Sequence, residues 1–201
     1  MKMEQTMIKD KVIVLAEQHN GYINSRILKE HGVPNVYLAR LVRDKRLEKA
    51  FKGIYVTPDT VVDQYFIYSL KYPRVVYSGE SSLFLNGLSS KQSVPMEITL
   101  PYGVNVPEID GATVVISRRG NIGLGVVSLE TPFGNEVRSY DRERSICDLF
   151  MRPDHYDAED RNYAIREYAG HHLNLEKLYD YAEKLKVYEN VRNVFEVLSW
   201  N

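Results

Sequence analysis

The chain has 201 residues, 44% of them apolar and 26% charged, with a formal net charge of −1; it is long enough to bury a core and to form one ordinary domain or two small ones. No run of 18 or more apolar residues occurs, so a transmembrane helix is not expected, and the opening MKMEQTMIKDK lacks the features of a secretory signal, which points to the cytoplasm. Cys147 is the single cysteine, which excludes an intrachain disulfide and a CxxC metal or redox motif.

In chain order, Met7, Ile8, Val12, Leu15 and Ala16 recur at helical spacing over 4–18, and HNGY at 19–22 stops that helix. Asn24 or Ser25 can cap a short second helix that buries Ile27 and Leu28 and ends at Gly32. Pro34 suits the first position of a third helix running to about Lys45. RLEKAFKGIYV then reads as two short strands around a turn at 51–53. Three helices followed by a basic hairpin predict a winged helix-turn-helix.

Charge supports that division. Residues 1–58 hold 11 Lys and Arg against 6 Asp and Glu, a balance of +5, whereas 59–201 balance at −6. The expected domains are therefore a DNA-binding module over 1–58 and a larger, acidic partner over 59–201, joined at the TPDT linker at 57–60. Leu38, Leu41 and Val42 form the core stripe of the third helix. Val36, Ala39, Arg40 and Arg43 stand opposite, and arginine forks with small apolar groups are what guanine edges and thymine methyls require. Lys45, Arg46, Lys49 and Lys52 are expected on phosphate, and Tyr37 and Arg26 complete the expected DNA-binding set. A winged helix used for protein contact would instead carry an acidic or apolar face on that helix.

The second half reads as mixed α and β. VVDQYFIYSLKYP is a helix ended by Pro73, RVVYS a buried strand and GESSLFLNGL a short capped helix. MEITLP, TVVISRR, GVVSLET and NEVRSY alternate as strands of a small, mostly antiparallel sheet. Helices follow from Asp141 in DRERSICDLFM, AEDRNYAIREYAG, LEKLYDYAEKL and VRNVFEVLSW. The fold class expected for the whole is α+β, a winged helix-turn-helix followed by a mixed domain with a helical tail.

Chemistry is sparse in this half. GESSL lacks the last glycine of a nucleophile elbow, so Ser81 or Ser82 reads as a helix N-cap. GNIGLG at 120–125 has the wrong order for a dinucleotide fingerprint and reads as a hairpin turn. Adjacent His171 and His172 diverge on a helix and suit a metal poorly, and Cys147 reads as a buried apolar group. No D-x-K or E-x-K triplet occurs, and Asp141, Glu143 and Asp148 interleave with Arg142 and Arg144, which favours ion pairs over a metal site. No enzyme activity, cofactor or metal is expected. Arg118 and Arg119, with Lys184 and Lys186, are a possible second DNA contact.

The block YLARLVRDKRLEKAFKGIYVTP, with Gly21–Tyr22, EHGV, SGESSLFLNGLS, ITLP and SYDRERSICDL in order, resembles the AbiEi family, antitoxins of bacterial AbiE abortive-infection systems. The resemblance spans about 5 to 150. It implies a winged helix that represses its own operon at inverted repeats on double-stranded DNA. It also implies a C-terminal domain that counters a nucleotidyltransferase-like toxin as a type IV antitoxin, without a stable direct complex and without a membrane role. Charge and periodicity alone leave two other readings open: a ligand-responsive repressor whose second domain binds a small metabolite, and a DNA-tethered enzyme.

Overall fold

The computed structural model describes residues 2–104, 111–117 and 121–198. They divide into two compact units, Met1–Pro73 with Pro132–Asn135, and Arg74–Thr131 with Glu136–Asn201.

The first unit contains α1 (Lys2–Gln18), β1 (Tyr22–Asn24), α2 (Ser25–Glu30), α3 (Val36–Arg43), β2 (Glu48–Phe51), β3 (Ile54–Val56) and α4 (Gln64–Lys71). Val12, Leu15 and Ala16 of α1 pack with Ile27 and Leu28 of α2 and with Leu38 and Leu41 of α3, so the apolar stripes read from the sequence meet in one core. Asn24 caps α2, its Oδ1 accepting from the N–H groups of Arg26 and Ile27 at 3.0 Å each, which satisfies two donors that lack intrahelical partners. The wing is a three-stranded antiparallel sheet in the order β1-β3-β2. Its strand β1 lies where the sequence pattern reads only the end of a helix. Gly21 (φ +85°) precedes it at a position where a Cβ would overlap Thr60 Oγ1.

This unit runs further than the 58/59 division expected. Ile67 of α4 packs with Tyr22, Ile54 and Val56, and the Tyr22 hydroxyl accepts from the Asp63 N–H at 2.8 Å while donating to the Val61 carbonyl at 3.1 Å. Asn135 belongs to the same network, donating to Asp63 Oδ2 and accepting from Asn20 Nδ2, both at 2.9 Å. Burial of an apolar helix face against the wing thus extends the unit past the TPDT segment.

The second unit holds β4 (Val76–Tyr77), α5 (Gly79–Leu85), β5 (Met96–Leu100), β6 (Ala112–Ile116), β7 (Val126–Glu130) and β8 (Glu136–Tyr140). The helices α6 (Arg142–Met151), α7 (Ala158–His171), α8 (Leu175–Leu185) and α9 (Tyr188–Leu198) follow. The five strands run β6-β5-β4-β8-β7. Two pairings, β5 with β6 and β4 with β8, are parallel, and two, β4 with β5 and β7 with β8, are antiparallel. The sheet is therefore mixed, which corrects the mostly antiparallel expectation. The physical reason is that strand direction is set by the pairings themselves, β5 beside β6 and β4 beside β8, which the alternation within each strand does not signal. Helices α6 to α9 share one core, with Ile146, Cys147, Leu149, Tyr168, Leu178 and Phe195 inside it.

Residues with suggestive chemistry have structural places here. Ser81 and Ser82 are inside α5 and do not cap it: Ser81 Oγ accepts from the Glu97 N–H at 2.8 Å, and Ser82 Oγ donates to the Gly79 carbonyl at 2.9 Å. The cap position falls to Ser78. Glu97 accepts from the Glu80 N–H at 3.1 Å, and its carboxylate occupies the space a Cβ on Gly79 (φ +52°) would need. Cys147 is buried, and desolvation pushes its thiol up. Asp141 caps α6 through the Arg144 N–H at 2.9 Å, and Lys177 bridges Asp141 and Glu143 at 3.0 and 2.8 Å. The His171–His172 pair marks the C-terminal end of α7.

Candidate nucleic-acid interface

Helix α3 has eight residues, about 12 Å of rise, and an α-helix about 10–12 Å across with its side chains fits the roughly 12 Å wide major groove of DNA. Its inward side holds Leu38 and Leu41. Outward stand Val36, 50% exposed, with Ala39 and Arg43 also exposed. The Arg43 side chain is 78% exposed, and its nearest carboxylate, on Asp44, is 3.9 Å away. Arg40 is half-buried, its guanidinium over the Tyr37 ring at 5.2 Å from the centre. Tyr37 itself is buried in the helical core, at 7% exposure. It belongs to the support of the face and not to its surface.

Charge around α3 is organised by ion pairs at its C-terminal end. Lys9 Nζ lies 2.6 Å from Asp44 Oδ2 and holds that carboxyl below its ordinary range. Arg46 reaches Asp10 at 2.9 Å, so its charge is partly neutralised within the unit. Lys45 sits in a left-handed turn (φ +56°) directly after the helix and is exposed. Lys49 and Lys52 are exposed on β2 and at the wing tip. Arg26 is half-exposed on α2, with Glu30 at 4.0 Å, and it borders a shallow depression with Lys29 and Asn35 at the start of α3.

One cation escapes sequence reasoning. Lys71, at the end of α4, donates to the Lys52 carbonyl at 3.0 Å, which brings a third basic group to the wing tip. Nineteen residues separate the two, and Lys71 lies beyond the segment read as a linker. Only the packing of α4 on the wing brings them together.

The second expected patch is placed in part. Lys184 pairs with Asp180 at 2.5 Å, and Lys186 forms the left-handed cap of α8. Arg118 and Arg119 lie outside the described residues.

A helical trio with a reading-type helix and a basic three-stranded wing defines a winged helix-turn-helix of the DNA-binding regulator class. Residues 10–58 match the family described as "Transcriptional regulator, AbiEi antitoxin", so this N-terminal segment is similar to the regulators of that family, a likeness that supports DNA as a partner. The fold is similar to the crystal structure of the RV2827C protein from Mycobacterium tuberculosis, with TM-score 0.58 and 15% identity, covering 88% of this chain and 71% of that one. That likeness concerns the fold alone. No curated protein matches the chain in sequence. Among the described residues no helix is long and apolar enough to cross a membrane.

Proposed function

We propose that the chain is an antitoxin and autorepressor: its first unit binds inverted repeats in the promoter of its own toxin–antitoxin operon, and its second unit counters a nucleotidyltransferase-like toxin in the cytoplasm. The observation that carries the DNA-binding half is the outward face of α3, where two guanidinium groups and two small apolar side chains project from a buried core stripe. In this reading α3 lies in the major groove, with Arg40 and Arg43 donating to guanine O6 and N7 and with Val36 and Ala39 against thymine methyls. Tyr37 holds Arg40 from beneath. Lys45, Lys49, Lys52 and Arg26 neutralise phosphates, joined by Lys71, and Arg46 contributes less because Asp10 holds it.

The antitoxin half rests on the AbiEi description of the matched segment. It has no catalytic role for Ser81, Ser82 or Cys147, whose side chains are spent on buried structural contacts. Co-expression tests it. Cells producing a nucleotidyltransferase-like toxin taken from a reading frame adjoining this gene, where one is found, should grow when the intact chain is present, and the Arg40→Ala/Arg43→Ala variant should rescue growth equally well while losing repression of a promoter fusion. Failure of the accumulated wild-type chain to rescue would overturn the antitoxin half. Loss of rescue in that double variant would overturn the assignment of the two activities to separate units.

A further inference from the structure

Beneath the sheet of the second unit, against α6, lies a cavity of about 150 Å³ whose wall includes Asn121, Arg144, Asp148, Arg152, Val115 and Met151. Cavities of this size in a core are ordinarily apolar and take a benzene-sized guest. This one is walled by charge. Arg144 and Asp148 are each 5% exposed, and burying ionised groups is costly unless every polar atom is used.

The hydrogen bonds within the described residues leave several of those atoms over. Arg144 spends Nε on Asp148 Oδ1 at 3.0 Å and Nη1 on the carbonyls of Asn121 and Leu124 at 2.9 and 3.1 Å. Arg152 spends Nη2 on Glu97 Oε1 at 2.7 Å and on the Tyr156 hydroxyl at 3.2 Å. Among the described residues, Arg144 Nη2, Arg152 Nε and Nη1, and Asp148 Oδ2 are not used in this way. The wall therefore offers guanidinium donors together with one carboxylate acceptor, beside the Asn121 amide and the apolar Val115 and Met151.

Charge balance narrows the guest. Among the described lining residues the two guanidinium groups of Arg144 and Arg152 outnumber the one carboxylate, Asp148, while Glu97 holds Arg152 from outside the lining, so a carboxylate is drawn to the arginines. His155 Nε2 lies 3.2 Å from the same Glu97 Oε1 that Arg152 holds, and it is not among the lining residues. A guest that presents its own carboxylate to the arginines and its own N–H or O–H to Asp148 matches donor for acceptor. We propose that this cavity is a binding site for a small carboxylate with an adjacent donor, an α-amino or α-hydroxy acid of roughly six to eight non-hydrogen atoms.

Isothermal titration of the full chain tests the site with glycine, L-alanine, L-serine, glycolate and lactate. Acetate and methylamine serve as probes that each carry half of the recognised chemistry. The proposal predicts saturable binding of at least one amino or hydroxy acid. Each half-probe should bind at least about tenfold more weakly, because it leaves buried polar groups unpaired. Met151→Phe, which narrows the cavity, should weaken binding, and Asn121→Leu, placed at a half-buried turn outside the apolar core, gives the same test should the first variant fold poorly. Amino acids against hydroxy acids identifies the source of the donor. No saturable binding by any acid up to about 10 mM, or binding unchanged in both folded variants, would overturn the proposal. The readout contains no DNA and no toxin, so it stands apart from the regulator reading.

Discussion

The guanidinium of Arg40 rests over the ring of Tyr37, three residues earlier on α3, with 5.2 Å between the charge and the ring centre. The ring is anchored in the helical core, so a buried residue sets the position of a half-exposed cation on the face proposed to read DNA. A cation over an aromatic face in a partly exposed setting is stabilised by about 0.5–1 kcal/mol, enough to narrow the conformations of an otherwise long and mobile side chain.

Tyr37→Leu should keep most of the core and lose the ring. Operator affinity is expected to fall by about 0.5–1 kcal/mol, while stability to urea changes by less than about 1.5 kcal/mol, as for an apolar replacement with repacking. Tyr37→Ala should instead cost about 3–5 kcal/mol of stability. Paired denaturation and fluorescence-anisotropy titrations separate the two effects, and an unchanged operator affinity in folded Tyr37→Leu would contradict the positioning of Arg40 by the ring.

The wing lysines and Arg46 should differ in their salt dependence. Removing Lys49 or Lys52 is expected to lower the slope of log K against log salt by about 0.9 each. Arg46→Ala should lower it less, because Asp10 holds that guanidinium at 2.9 Å. Asp10→Asn should raise the slope by freeing it. The check is a titration of one operator at several salt concentrations, and equal slopes for Lys52→Ala and wild type would remove the wing tip from the phosphate contacts.

Acid should expose the Lys9–Asp44 pair. The Lys9 ammonium depresses the folded-state pKa of Asp44, so the pair's contribution is fully present above the ordinary carboxylate pKa, near 4, and is lost as pH falls through the lowered folded value. Asp44→Asn should melt at a lower temperature than wild type at pH 7, with the difference closing on acidification below about pH 4. A difference that persists undiminished at low pH would show that the asparagine acts through something other than this charge pair.

Gly79→Ala should destabilise by about 2–4 kcal/mol, through a left-handed backbone and displacement of a buried carboxylate. Glu97, 2% exposed, is the group displaced, and with it go the bonds to Arg152 and to the Glu80 N–H. Thermal denaturation measures this, and a neutral substitution would mean the Glu97 side chain moves aside at little cost.

The extent to which the sequence could be read follows the range of the interactions. Helices α1 to α3, the Asn24 cap and the β2–β3 wing are local, carried by apolar period and capping chemistry within a few residues, and all are legible. Strand β1 has three residues and is held by pairing with β3 thirty or more residues away, so it leaves no alternating pattern; β4 is legible as the apolar run RVVYS, but its parallel pairing with β8 is not. Tyr37 was readable in principle: it stands four residues before Leu41, about 40° away on the helical wheel, and so on the core side. Lys71 was not, because its place beside Lys52 depends on where α4 packs. The cavity residues Arg144 and Asp148 look like an ordinary surface i, i+4 pair in the sequence, and only their burial distinguishes them.

The most direct measurement is binding of the purified chain and its Arg40→Ala/Arg43→Ala variant to DNA from upstream of its own gene, with a scrambled duplex as control. Arg43 is exposed and Arg40 half-buried, so the variant should retain its fold, to be verified by circular dichroism. The wild type should protect an inverted repeat, and each lost arginine should cost about 1–3 kcal/mol with relaxed preference at one base position. The double variant should bind operator and scrambled DNA alike. Wild-type affinity and protection in the folded double variant would contradict α3 as the reading helix.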